Sequence, residues 1–253
     1  MPMKRNLSES PDGSAIAPGK IPVGGFLKQS MIDFPGHVTA VVFTQGCNFR
    51  CIYCHNPELI PSLSSTENAY DSEEILRWTG RYRHLLDAVT ITGGEPTLHP
   101  DLPAFIRQIK SFGLKVKLDT NGSNPDMLTS LLAEGLIDYV AMDIKAPPET
   151  EKYRTVAGKH IGEKIMKKII RSMEILKKTA IQHEYRTTLV QPYHTQQEIH
   201  KMITCVNGLY YLQKADTSGK TLTKNFQEFV LSDKEKEDLE KYGKKQDVIL
   251  SFR

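Results

Sequence analysis

A parallel α/β architecture, an open or partial barrel of six strands, is what this sequence predicts. Short β-branched or apolar runs alternate with amphipathic segments in a repeating order. Several runs are apolar nearly throughout, as strands covered on both faces are. The amphipathic segments carry start and stop signals where crossover helices should begin and end. Such alternation implies parallel pairing with right-handed crossovers. Six repeats are too few to close an eight-fold barrel, so the fold class expected is α/β, a partial (β/α)6 barrel with a short C-terminal extension.

The first strand expected is "VTAVVFTQ" (38–45). After it, "DSEEILRWTGRYRHLL" opens on Asp71 as N-cap with Glu74 three residues later, a capping-box pattern. "AVTITGG" (88–94) is the second strand, and "DLPAFIRQIKSFG" is a helix closed by Gly113. "LKVKLDTN" (114–121) is the third, followed by "NPDMLTSLLAEG", which starts on Asn124–Pro125 and stops on Gly135. Proline inside the start and glycine past the end is the usual helix asymmetry. "DYVAMDIK" (138–145) is the fourth strand, and "EKIMKKIIRSMEILKKT" (163–179) repeats apolar residues at three- and four-residue spacing. "EYRTTLVQ" (184–191), the helix "TQQEIHKMITCVNG" (195–208) and "LYYLQ" (209–213) complete the series. Residues 1–20 read as a flexible tail, 21–213 as the barrel and 214–253, rich in Lys and Glu, as a charged extension led by a solvated helix.

Composition narrows the function. At 253 residues the chain can be one large domain with a sizeable core. A net charge of +3 is too small to imply nucleic acid or an anionic membrane surface. Apolar runs are far shorter than the roughly 20 residues a membrane helix needs. "MPMKRNLSESPDGSAIAPGK" lacks an apolar h-region, so no secretory signal is expected and the location expected is cytoplasmic. Three of the four cysteines, Cys47, Cys51 and Cys54, crowd into C-x3-C-x2-C. In an unexported chain this points to metal or redox chemistry rather than a disulfide framework.

The chemistry-bearing residues fall at the ends of successive strands, the functional face of parallel barrels. The cysteines follow the first strand, Gly93–Gly94–Glu95–Pro96 ends the second, "DTNG" (119–122) the third and "MDIK" (142–145) the fourth. Three thiolates could hold zinc with His55 as the fourth ligand. They could instead hold a cubane; such clusters normally take four cysteines, so with three one iron stays open to a ligand. Cys205 sits within an amphipathic helix pattern and reads as a small apolar residue. Gly93 and Gly94 allow close backbone approach, and Glu95 could accept hydrogen bonds from an amine. Asp119, Asp143 and Lys145 supply both signs of charge, suited to a zwitterion or a small cation.

With these motifs in place, "CNFRCIYC" and "TGGEP" resemble the signatures of the radical S-adenosylmethionine (SAM) superfamily over about residues 22–213. "CHNP", "DTNG" and "DIK" resemble its glycyl-radical-enzyme activases. The opening "GGFLKQSMIDFPGHVTAVVFTQGCNFRC" looks most like the proteins that activate anaerobic ribonucleoside-triphosphate reductase, with "DFPG" (33–36) where related activases tend toward Asp-Gly-Pro-Gly. The resemblance implies a 4Fe-4S cluster on Cys47, Cys51 and Cys54, with S-adenosylmethionine on the open iron. Cofactor contacts implied are Gly93, Gly94 and Glu95 at the amine, Lys145 and Asp143 at the methionyl end, Tyr53 beside the adenine, His55 and Asn56 after the last cysteine, and Arg186 near the ligand. A monovalent cation would lie among Asp119, Thr120 and Asp143.

The implied activity is homolysis of the sulfonium to a 5′-deoxyadenosyl radical, then hydrogen abstraction from a glycine on a partner, here anaerobic ribonucleotide reductase. A formate-lyase-type partner, a small molecule or a modified base are alternatives on the same machinery. A zinc-stabilised binding module is the alternative without catalysis. Related formate-lyase activases carry "PYH" at the sixth strand, where this chain reads "YYLQKA" with Gln213, so that contact is changed or lost. One spare cysteine cannot support extra clusters, so electrons are expected from an external donor such as flavodoxin or ferredoxin.

Overall fold

The computed structural model describes residues 19–61, 70–217 and 219–253, so most of the expected N-terminal tail lies outside the described residues. In chain order the elements are β1 (Val23–Ser30), β2 (Thr39–Thr44), α1 (Ser72–Tyr82), β3 (Ala88–Gly93), α2 (Leu102–Ser111), β4 (Lys115–Thr120), α3 (Pro125–Ala133) and β5 (Tyr139–Asp143). They continue as α4 (Thr150–Ala157), α5 (Glu163–Lys178), β6 (Gln182–Gln191), α6 (Gln196–Cys205), β7 (Gly208–Lys214), β8 (Gln227–Glu228), α7 (Asp233–Lys244) and β9 (Val248–Phe252). The sheet order is β1-β2-β3-β4-β5-β6-β7-β9, with β8 attached to β6. All pairings from β2 to β9 along that path are parallel. This is the expected α/β partial barrel: each strand lies beside the next in sequence.

Three strands extend the six foreseen, one of them the short β8 paired antiparallel with β6. β1 adds an antiparallel edge to β2, and β9 adds a parallel strand to β7. Residues 214–253 thus contribute β8 and β9 to the sheet and the helix α7 beside β9. Cap chemistry follows the sequence with one shift. Asp71 caps α1 by accepting from Glu73 N at 3.0 Å, without the reciprocal bond from Glu74. Complete capping boxes open α6, through Thr195 and Glu198, and α7, through Ser232 and Glu235. Gly113 and Gly135 take positive φ, +83° and +62°, just past α2 and α3.

The alternation within strands decides what each face does. Val89, Ile91, Val116, Leu118, Val140, Met142, Tyr185 and Tyr210 join the main core with Ile106, Leu128, Ile169 and Ile203 of the helices. The alternate residues turn to the other face, which is polar: Thr92, Asp119, Asp143 and Thr188 line a cleft, while Lys117, Glu184, Arg186 and Gln213 line a cavity next to it. Among the described residues no helix is long and apolar enough to cross a membrane.

Candidate active site

The cleft, about 220 Å³, opens at the C-terminal ends of β2 to β6. Its walls include Cys47, Cys51, Tyr53, Cys54, His55 and Asn56 from the loop after β2, with Gly93, Gly94 and Glu95 after β3. Asp119 and Thr120 of β4, with Asp143 at the end of β5 and Lys145 just after it, form its floor. Of the sequence-expected residues, Arg186 lies apart: it lines the adjacent cavity of about 510 Å³ and reaches the floor through Asp119 and Asp143.

The cysteine loop lacks regular structure before a 3-10 turn at Pro57–Leu59, so other segments must satisfy its backbone. Gly46 N donates to Leu59 O at 2.8 Å, Arg50 N to Ala157 O at 2.8 Å and Ile52 N to Val156 O at 3.0 Å. Thr223 N donates to Ile52 O at 3.1 Å. Gly94 lets this loop close on β3, since a Cβ there would stand 2.1 Å from Gly46 O. Asn121 Nδ2 donates to Asn48 Oδ1 at 3.0 Å, tying the loop to the end of β4.

Burial governs the thiols. It pushes Cys47 up to about 12 and Cys51 up to about 11, and it raises Cys54 as well. As free groups they are protonated, and ligation releases those protons. Cys205, half-buried on α6, donates to Lys201 O at 3.1 Å and belongs to the helix, not the cleft.

Glu95 is 1% exposed. Its Oε1 accepts from Thr97 N at 3.2 Å, Thr97 Oγ1 at 2.5 Å and Thr120 Oγ1 at 2.7 Å, and its Oε2 from Asn121 N at 2.6 Å. Burial pushes this carboxyl up, and those bonds work against the shift. Glu95 therefore joins the ends of β3 and β4 while lining the cleft.

The floor is a charged ladder. Lys117 Nζ reaches Asp119 Oδ1 at 2.5 Å, and Arg186 NH1 reaches Asp119 Oδ2 at 3.2 Å. Arg186 Nε meets Asp143 Oδ1 at 2.9 Å, and Lys145 Nζ meets Asp143 Oδ2 at 2.9 Å. Burial alone would raise Asp143, but Arg186 and then Lys145 hold it at about 2. Asp119 is lowered in the same way, burial being outweighed by Arg186 and Lys117. Lys145 is raised well above its ordinary value: burial opposes its charge, and Asp143 overrides that.

Two residues that sequence reasoning missed hold Lys145 by its backbone. Tyr153 Oη accepts from Lys145 N at 3.2 Å. His194 Nδ1 accepts from Val190 N at 3.0 Å, so its Nε2 carries the proton and donates to Lys145 O at 3.0 Å. The "PYH" of this chain (192–194) thus follows β6, while Gln213 of β7 faces the neighbouring cavity rather than the cleft.

The donor set fits the cluster and S-adenosylmethionine. Three thiols share one wall, yet among the described residues no three His, Cys, Asp or Glu side chains gather around a single ion-sized point. Tyr53, beside the thiols, has a buried hydroxyl with no hydrogen-bond partner, and Lys145 Nζ stands 5.8 Å from its ring centre. A buried polar group left open at a cleft marks where a ligand belongs.

Comparison with known proteins agrees. The radical SAM superfamily model matches residues 41–206. The chain is 35% identical over 199 residues to a "Putative glycyl-radical enzyme activating enzyme" of Methanocaldococcus jannaschii, covering 76% of this chain and 79% of that one. It is 29% identical over 192 residues to the pyruvate formate-lyase-activating enzyme of Clostridium pasteurianum, covering 74% and 76%. Streptococcus suis SuiB superposes with a TM-score of 0.61 at 12% identity over 83% of this chain and 47% of SuiB, a likeness of fold in which the chain spans about half of SuiB's length. The chain belongs to the radical SAM superfamily and, within it, to the group of glycyl-radical-enzyme activating enzymes, with a 4Fe-4S cluster and S-adenosylmethionine as its cofactors.

Proposed function

We propose that this protein installs a glycyl radical on a partner enzyme, and that the partner is an anaerobic ribonucleoside-triphosphate reductase. The observation that carries the first half is the joining of three thiols and a two-signed charged floor in one cleft. The second half rests on the opening "GGFLKQSMIDFPGHVTAVVFTQGCNFRC". When bound, the cluster and S-adenosylmethionine supply one-electron chemistry that ends in abstraction of a hydrogen atom from the partner's glycine.

The chain's own residues bind, orient and exclude. Cys47, Cys51 and Cys54 hold the cluster, and the buried Phe49 and Tyr53 keep water from it. Gly93, Gly94 and Glu95 would meet the methionyl amine, Glu95 Oε2 having a lone pair left beside its bond from Asn121 N. Lys145, charged and fixed by Asp143, would hold the methionyl carboxylate, and Tyr53, with its open hydroxyl, would hold the adenine end. His55 and Asn56 complete the rim. Arg186 acts from below by setting Asp119 and Asp143. Electrons come from an external donor of the flavodoxin or ferredoxin kind, and the site of action is the cytoplasm.

A second reading, activation of a formate-lyase-type enzyme, is favoured by the likeness to the Clostridium pasteurianum enzyme. The discriminating experiment mixes the reduced, cluster-loaded protein and S-adenosylmethionine anoxically with each candidate partner in turn. A glycine-type doublet in electron paramagnetic resonance (EPR) on the reductase alone supports the proposal. A doublet on the lyase alone transfers the assignment to it.

A further inference from the structure

We propose that the buried Lys117 ammonium stands in for the monovalent cation at this site, so that S-adenosylmethionine binds without an added alkali ion. The inference rests on the reading of the cleft given above. Asp119, Thr120 and Asp143 are the residues expected around a cation, and their oxygens are already in use. Asp119 Oδ1 holds Lys117 Nζ at 2.5 Å and Oδ2 holds Arg186 NH1 at 3.2 Å. Asp143 Oδ1 holds Arg186 Nε and Oδ2 holds Lys145 Nζ, each at 2.9 Å. Thr120 Oγ1 donates to Glu95 at 2.7 Å and accepts from Gly122 N at 3.1 Å. With Asp119 and Asp143 already matched by Lys117, Arg186 and Lys145, a further cation at this point meets like charge rather than a free carboxylate.

Lys117 is placed for the role by the strand itself. Residues 117 and 119 are two apart on β4 and share a face. The Lys117 side chain is only 3% exposed, and lysine is almost never buried so deeply unless it is paired. It comes from the inner cavity, whereas Asp119 also lines the cleft, so the ammonium neutralises Asp119 from behind. Lys117 and Arg186 thus hold Asp119 and Asp143 from the inner cavity, while Lys145 lies on the cleft side. An alkali ion would have to displace an ammonium from a charge-assisted bond to enter.

The test follows binding, not turnover. Cluster-loaded protein is titrated with S-adenosylmethionine in buffers whose cation is tetramethylammonium, sodium or potassium, and the EPR spectrum of the reduced cluster reports occupancy. The same affinity in all three is expected. A requirement for potassium in the unaltered protein overturns the proposal. Lys117→Met should bind about tenfold more weakly in tetramethylammonium, the scale of one lost bond to a charged group, and should regain affinity in potassium. Lys117→Met binding equally well in tetramethylammonium would also overturn it. Should that variant fail to fold, the three-buffer comparison on the unaltered protein decides alone. A cluster-bearing protein that binds no S-adenosylmethionine in any buffer would instead overturn the reading of the cleft.

Discussion

The cysteine wall and the charged floor face each other across one cleft, yet they are held by opposite means. Asp119 and Asp143 stand at the ends of neighbouring parallel strands, and the register β4–β5–β6 fixes them before any side chain bonds. The cysteine loop borrows its partners from Leu59, Val156, Ala157 and Thr223, segments scattered along the chain. Its shape therefore depends on distant parts of the fold, while the floor follows from strand pairing. The wall should lose function without losing stability, and the floor should lose function together with part of its stability.

The largest expected effect breaks the wall alone. Cys51→Ser should reduce bound iron and sulfide to background and abolish 5′-deoxyadenosine formation, while far-ultraviolet circular dichroism stays unchanged. A parallel loss of helix and strand signal would show that the wall also carries the fold.

The next largest strikes the floor. Asp143→Asn leaves Arg186 and Lys145 without the carboxylate between them, and breaking such a pair costs about 3 kcal/mol. Urea unfolding of the cluster-free protein measures this directly. A midpoint equal to that of the unaltered protein would contradict the ladder.

Acid titration sharpens the same point with a smaller effect. Asp143 is held at about 2 in the fold against an ordinary value of 3.8. A depressed carboxylate adds stability that is complete above its unfolded value and disappears as pH falls through its folded one. The window is thus from about pH 4 down to about pH 2, and the size is about 2 kcal/mol. Asp143→Asn should flatten this stretch of the stability curve. An unchanged acid slope would place the sensitivity elsewhere.

How far the site could be read from the sequence follows the same division. The strand-end motifs "GGEP", "DTNG" and "DIK" were legible because strands announce themselves locally, by β-branched runs and punctuation. The inward lysine of "KVKLDT" was legible in principle, since its polar residues fall two apart, but the apolar run around it drew attention first. β1 was harder, because "GGFLKQS" has weak strand character and gains its conformation from pairing with β2. β9 was hidden by the Lys- and Glu-rich helix before it, although "VILSF" is a good strand by itself. α4 is short and charged outside, and only packing of Tyr153, Val156 and Ala157 makes it a helix. The long-range supports of the site, such as His194 acting on Lys145 of the floor or His160 on Asn48 of the cysteine loop, leave no local trace at all.

The smallest expected effect tests one of those supports. His160 Nε2 bonds Asn48 O at 2.5 Å from an exposed position. His160→Ala should cost about 1 kcal/mol or less in global unfolding and should show itself as faster loss of the cluster to a chelator. Cluster loss at the unaltered rate would remove this contact from the account of the wall.

The most direct test of the central claim, that wall and floor together hold one cofactor pair, is the EPR spectrum of the reduced cluster recorded with and without S-adenosylmethionine. The account predicts a change in that spectrum on addition, abolished together with 5′-deoxyadenosine formation in Lys145→Met, where the wall is intact. A cluster spectrum indifferent to S-adenosylmethionine in the unaltered protein would contradict it.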